Sequence, residues 1–163
     1  MKKISLLILV SIFCLSADLP KSAYKKIDKT FASLWEEQAI KKERIDVGKN
    51  LKLSKIQANG VLVGYYVIAE ANSKADYFDY MVVYTPDLKI MAVQLLVYRE
   101  DYGGEIGSKR WLRQFKGKTT SAEMKFGHDI QNISGATISA RSMTSGVQAT
   151  TTQINALKKQ GKI

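Results

Sequence analysis

Between Leu51 and Tyr98 the chain passes through four stretches rich in β-branched and aromatic residues: Leu51–Gln57, Val61–Glu70, Tyr77–Tyr84 and Lys89–Tyr98. Turn-forming residues separate them at Asn59-Gly60, Asn72-Ser73-Lys74 and Thr85-Pro86-Asp87. A parallel crossover takes roughly a dozen residues or more, so links this short predict antiparallel neighbours and a meander. Its last strand contains Ile90-Met91-Ala92-Val93-Gln94-Leu95-Leu96-Val97, almost unbroken in apolar residues, and is expected to be central and covered on both faces.

Helical spacing brackets the meander. After Pro20, Tyr24, Ile27, Phe31 and Leu34 recur on one face, with Lys25, Lys26, Asp28 and Lys29 on the other, which predicts an amphipathic helix. The charged stretch Glu36 to Arg44 is expected to continue as helix, or as a second short one, before Gly48. At the other end Ala140, Met143, Val147, Thr150, Ile154 and Leu157 form one stripe along about five turns. Ser139 or Thr137 would cap this helix, Lys158 and Lys159 face the negative end of its dipole, and Gly161 terminates it. The fold class is therefore α+β: an antiparallel meander packed with an N-terminal helix and a long C-terminal helix.

Between these parts, Arg99 to Gly107 form an acidic, glycine-rich loop that lets another group approach the backbone closely. Ser108 then opens a short helix whose apolar face is Trp111, Leu112 and Phe115, ended by Gly117. Thr119 to Gln131 read as an irregular connection with one more strand. The sole histidine, His128, has neither a cysteine nor a second histidine beside it and is assigned no role.

Residues 1–17 stand apart. Lys2-Lys3, an apolar run from Ile4 to Leu15 and then Ser16-Ala17 match a secretory signal peptide, and the run is short for a membrane span. Cleavage near Ser16 or Ala17 leaves a single domain, 18–163, in a periplasmic or other extracytoplasmic space; without cleavage the segment would anchor the chain to a membrane. The only cysteine, Cys14, leaves with the segment, which excludes disulfides, thiolate metal sites and cysteine catalysis from the mature chain. Without Lys2 and Lys3 the formal net charge of +10 falls to +8. Export and the lack of aromatic interleaving among the basic residues argue against nucleic acid and for a solvated basic surface, with an anionic ligand or an acidic redox partner as the alternative.

The chemistry concentrates in Asn132 to Thr144, and within it in Ser134-Gly135-Ala136-Thr137, a small-residue hydroxyl turn leading into the last helix. Such a turn suits a phosphate at a helix N-terminus, and it also suits an ordinary helix cap. Self-contained hydrolysis lacks a partner base: the turn has no strand–Gly-x-Ser-x-Gly–helix context and no Lys placed as in the Ser-x-x-Lys hydrolases, and no Walker-type Gly-Lys-Ser/Thr follows a strand. Ser134-Gly135-Ala136-Thr137-Ile138-Ser139 resembles the Ser/Thr-Gly-Ala-Thr-x-Thr/Ser signature of the FMN-binding domain family. That family includes the C subunit of sodium-translocating NADH:quinone reductase and the G subunit of the Rnf complex. Tyr98-Arg99-Glu100 with Gly104 and Gly107, and Trp111 to Lys118, are similar to its glycine loop and its Phe-x-Gly-Lys segment. Gln131 stands where members usually carry an acidic residue, and Asp101-Tyr102 where they carry Thr-Pro.

The resemblance implies a flavoprotein that relays electrons rather than a stand-alone enzyme. It implies FMN on Thr137 through a phosphoester bond, installed by a separate magnesium- and FAD-dependent flavin transferase. Ser134, Gly135, Ala136 and Ser139 would shape the attachment turn. The flavin ring would lie against the loop with Glu100, Gly104 and Gly107 and against the helix bearing Trp111 and Phe115, with Lys118 and Arg110 as charges that tune it. Partners would be the transferase and redox donor and acceptor proteins, in solution or membrane-bound. Two rival readings remain at this stage: a sensor or carrier that holds FMN non-covalently, and an exported basic adaptor in which Ser134 to Thr137 only cap a helix.

Overall fold

The apolar runs and their short links do build an antiparallel meander, in a computed structural model that describes residues 19–36, 38–48, 51–119 and 124–163. The signal-like segment and Cys14 lie outside these. Helix α1 (Lys21–Trp35) is followed by strands β1 (Ile40–Ile45), β2 (Lys52–Ala58), β3 (Val61–Asn72), β4 (Tyr77–Tyr84) and β5 (Ile90–Val97). One sheet holds all five in the order β1-β2-β3-β4-β5, every pair antiparallel. Asn59 and Gly60, both with positive φ, join β2 to β3 in a two-residue hairpin whose twist matches the strands. After β5 come a 3-10 turn at Gly104–Gly107, the single-turn helix α2 (Lys109–Leu112) and a second 3-10 turn at Arg113–Phe115. Helix α3 (Thr137–Lys159) closes the chain.

Alternation along the strands divides the core in two. On one face Phe78, Tyr80, Val82 and Tyr84 of β4, with Tyr65, Val67, Val93 and Leu95, meet Ala140, Met143, Val147, Ile154 and Leu157 of α3. On the other face Met81, Val83, Ile56 and Leu96 meet Ala23, Ile27, Phe31 and Trp35 of α1. The stripe read along α3 is thus the buried one. Each large apolar side chain buried there contributes about 1.5–3 kcal/mol of transfer free energy, far more than helix propensity supplies. The hydroxyls of Tyr80 and Tyr84 reach across the layer to Thr150 and Thr151 at 3.3 and 3.0 Å. Burial pushes both phenols up from their ordinary pKa, which keeps them neutral.

Four expectations need correction. The charged stretch after Glu36 is not helix: Glu36 turns into the left-handed region at φ 48°, and Ile40–Ile45 is an edge strand. As an edge strand it pairs only with β2 and leaves its charges hydrated, while Glu43 meets its register partner Lys55 at 3.0 Å. Strand β5 is the other edge, not a central strand. Both of its faces are covered, and its edge is closed by chain segments: Gly117 N–H donates to Ile90 O, Ile90 N–H to Lys118 O, and Lys26 Nζ to Leu96 O at 2.7 Å. Thr119 to Gln131 contribute, in their described part, a turn closed by a single Phe126–Ile130 bridge and no strand. Neither Thr137 nor Ser139 caps α3: Ala136 occupies the cap position and no side chain caps it. The C-terminus of α3 follows the expectation, with Gly161 N–H on Lys158 O and Lys162 N–H on Leu157 O.

Candidate functional site

Two loops come together at the start of α3. The first leaves β5 at Tyr98, whose hydroxyl donates to Tyr102 O at 2.9 Å. That hydroxyl has one proton, so it must accept from Ser139 Oγ at 2.8 Å. Ser139 is buried and spent on this bond, which ties the first turn of α3 to the loop after β5. Gly103 is required here: at φ 94°, a Cβ would strike the Tyr98 hydroxyl. The second loop is the hydroxyl turn. Gly135 takes φ 83°, and a Cβ on it would lie 3.2 Å from a carboxylate oxygen of Glu105, so an acidic side chain rests against the turn. Ala136 is buried beneath it, while Ser134 and Thr137 are exposed.

Thr137 is the first helical residue, and its hydroxyl accepts a hydrogen bond from Asn132 Nδ2 at 3.2 Å. The first three amides of any helix lack intrahelical partners, and here no side chain caps them. Two clefts meet at this turn. One, of about 330 Å³, is lined by Gly135 to Ser139 together with Lys74, Tyr98, Glu100, Tyr102 and Gly103. The other, of about 430 Å³, is lined by Gln131 to Ser134 with Ser108, Arg110, Trp111 and Gln114.

Glu100 sits on the wall of the first cleft with its carboxylate already engaged. It accepts hydrogen bonds from Ser73 Oγ, from Ala75 N–H at 2.7 Å and from Asp76 N–H at 2.9 Å, and so fastens the β3–β4 turn to the end of β5. The Ser73 hydroxyl, and after it the Ala75 amide, hold its carboxyl below the usual carboxylate range. Behind it Arg99 bonds buried Asp79 at 2.6 Å and stacks 3.9 Å over the Tyr77 ring.

Of the residues singled out in the sequence, Thr137, Gly135, Ala136, Ser139 and Glu100 line the first cleft, and Ser134, Trp111 and Arg110 the second. Gly104 opens the 3-10 turn, and Gly107 packs against Leu95. Trp111 is largely buried and donates its indole N–H to Gln131 O at 2.7 Å. Phe115 is fully buried edge-on to Trp111, so it supports the cleft floor and offers no surface for a ligand to lie on. Lys118 lines neither cleft; its main chain pairs with Ile90 and Phe115. Sequence reasoning passed over Tyr98, Ser73, Lys74, Gly103, Glu105 and Asn132 as site residues. Tyr98, Gly103, Glu105 and Asn132 lie within or beside stretches that the sequence marks out for the site, whereas Ser73 and Lys74 sit in a turn two strands away and carry no such signal.

Residues 75–152 match the model of the FMN-binding domain family. This segment is an FMN-binding domain. No curated protein matches the chain. The matched segment spans β4, β5, both site loops and most of α3, so the FMN-binding domain includes almost the whole site. Its residues suit a phosphate-bearing flavin. Uncapped first-turn amides and the positive end of a 23-residue helix stand beside an exposed hydroxyl, with Lys74 and Arg110 on the cleft walls. The module is thus a flavin-binding, electron-transfer one.

Proposed function

We propose that this protein is an exported flavoprotein that relays electrons through FMN joined to Thr137 by a phosphoester bond, installed by a separate FAD-dependent flavin transferase. One observation carries the reading. The hydroxyl of Thr137 is exposed at the first position of α3, on the edge of an open cleft. Among the described residues it is hydrogen-bonded only to an amide donor, never to a carboxylate or imidazole base. A threonine hydroxyl without a base is a poor nucleophile at neutral pH, so activation must come from another protein. That is how an acceptor, rather than an enzyme, would be built.

Bound there, FMN supplies the redox chemistry, and the protein supplies position and charge. The first-turn amides and the helix dipole favour the phosphate, the dipole by about 0.3–1 kcal/mol. Tyr98, through Ser139 and Tyr102, keeps the glycine loop at a fixed distance from the turn, and Glu100 fixes the opposite wall. Attachment outside the cytoplasm prevents loss of a cofactor that could not be replaced there, in keeping with the signal-like residues 1–17. The electron donor and acceptor would be other exported or membrane-bound proteins.

Coexpression with a flavin transferase should yield protein that keeps flavin fluorescence after denaturation, while Thr137→Ala should be colourless. A Thr137→Ala protein as yellow as the parent would sink covalent attachment at this residue. Flavin released on denaturation would mark the non-covalent carrier, and a colourless parent the adaptor.

A further inference from the structure

A hydroxyl that becomes a phosphoester needs a neighbour compatible with both states. The alcohol donates one hydrogen bond and accepts others; the ester oxygen only accepts and has a charged phosphate beside it. A donor satisfies both. Asn132 is such a donor, with Nδ2 on Thr137 Oγ1 at 3.2 Å. The far end of its amide fixes the orientation: Oδ1 accepts from Ile133 N–H at 2.8 Å, and a backbone amide can only donate, so the NH₂ group must face the threonine. Neighbouring Gln131 is committed elsewhere. Its side chain donates to His128 O at 3.0 Å, its backbone N–H donates to Gln114 Oε1 at 2.8 Å, and its carbonyl accepts from Trp111.

We propose that Asn132 is a positioning residue for flavin attachment, holding the Thr137 hydroxyl in one rotamer with its proton and a free lone pair directed into the open cleft. The proposal rests on the reading of Thr137 as the attachment site. In the step itself a bond forms between Thr137 Oγ1 and the FMN phosphorus of FAD. The pyrophosphate P–O bond breaks, AMP leaves with the bonding pair, and the hydroxyl proton passes to a base on the transferase. The Nδ2–H of Asn132 keeps its partner throughout. An aspartate of the same shape cannot donate, and it would repel the phosphoester.

The test uses the flavin-free chain, made without a transferase and then incubated with purified transferase, FAD and magnesium. Flavin incorporation is followed by fluorescence of the denatured protein. Asn132→Ala and Asn132→Asp should each lower kcat for modification about tenfold or more, because misplacing one reacting group costs on that scale, with KM for the chain and the melting temperature unchanged. Before modification, side-chain scalar couplings of Thr137 should report one rotamer in the parent and averaging in Asn132→Ala. Wild-type kcat in either variant, or a loss confined to KM or accompanied by a lower melting temperature, overturns the positioning role. Flavin retained by Thr137→Ala, or a parent chain that takes no flavin, overturns the attachment reading instead, and the proposal with it.

Discussion

At the scale of single residues, Glu100 serves by holding structure. Its charge is stabilised by Ser73 Oγ and by the Ala75 and Asp76 amides, donors that it loses on unfolding. The folded carboxyl therefore titrates below the unfolded one, which lies near about 4.3. Between the two values the unfolded chain binds more protons, so stability rises with pH. The contribution is fully present above the unfolded value and disappears as pH falls through the lowered folded value. Glu100→Gln should accordingly melt below the parent at pH 7, with the two melting temperatures converging under acid conditions below the carboxylate range. Parallel curves across that range would show that the Ser73–Asp76 turn does not depend on the charge. Nothing in the sequence announced this, because Ser73 and Glu100 are separated by two strands and meet only through the pairing of β4 with its neighbours.

At the scale of elements, period and turn chemistry made the meander and both long helices legible, and context decided the rest. Ile40–Ile45, with four charged residues between two isoleucines, has the composition of a solvated helix; only its place at the sheet edge lets it be a strand. The nearly unbroken apolar run of β5 correctly signalled two covered faces but misled about a central place, since a helix lysine and a passing backbone segment close its outer edge. The seating of α3 on the sheet depends on one absent side chain. A Cβ on Gly146 would lie 2.5 Å from the Tyr80 hydroxyl, so the helix would have to lift or the ring to move. Gly146→Ala should gain about 1 kcal/mol in helix propensity and lose about 1–3 kcal/mol to overpacking. Tyr80→Phe removes the clashing atom, so in a double-mutant cycle the pair should be more stable than the sum of the single changes, by about 1 kcal/mol or more. Additive melts would mean that α3 does not rest on Tyr80.

Across the whole molecule, the hydroxyl turn at the start of α3 stood out in the sequence because its residues are contiguous, whereas the walls around it are not. The Tyr98–Ser139 bond spans 41 residues, and Glu105 meets Gly135 only because β5 and α3 deliver two loops to one place. Phe115, which on paper could as well have flanked a ring as filled a core, was claimed by the core once α2 folded over β5. Every element among the described residues lies after Leu19: α1 and α3 cover the two sheet faces, and both site loops lie between Tyr98 and Ser139. A chain beginning at Asp18 should therefore melt at the same temperature as the full-length chain and take up flavin equally. The same argument predicts the form present in the native source. If residues 1–17 are a cleaved signal, intact mass should show a chain shortened by about that length and carrying one FMN. A full-length mass with flavin would make the segment an anchor; a shortened mass without flavin would separate export from attachment and return Thr137 to the role of an ordinary first helical residue.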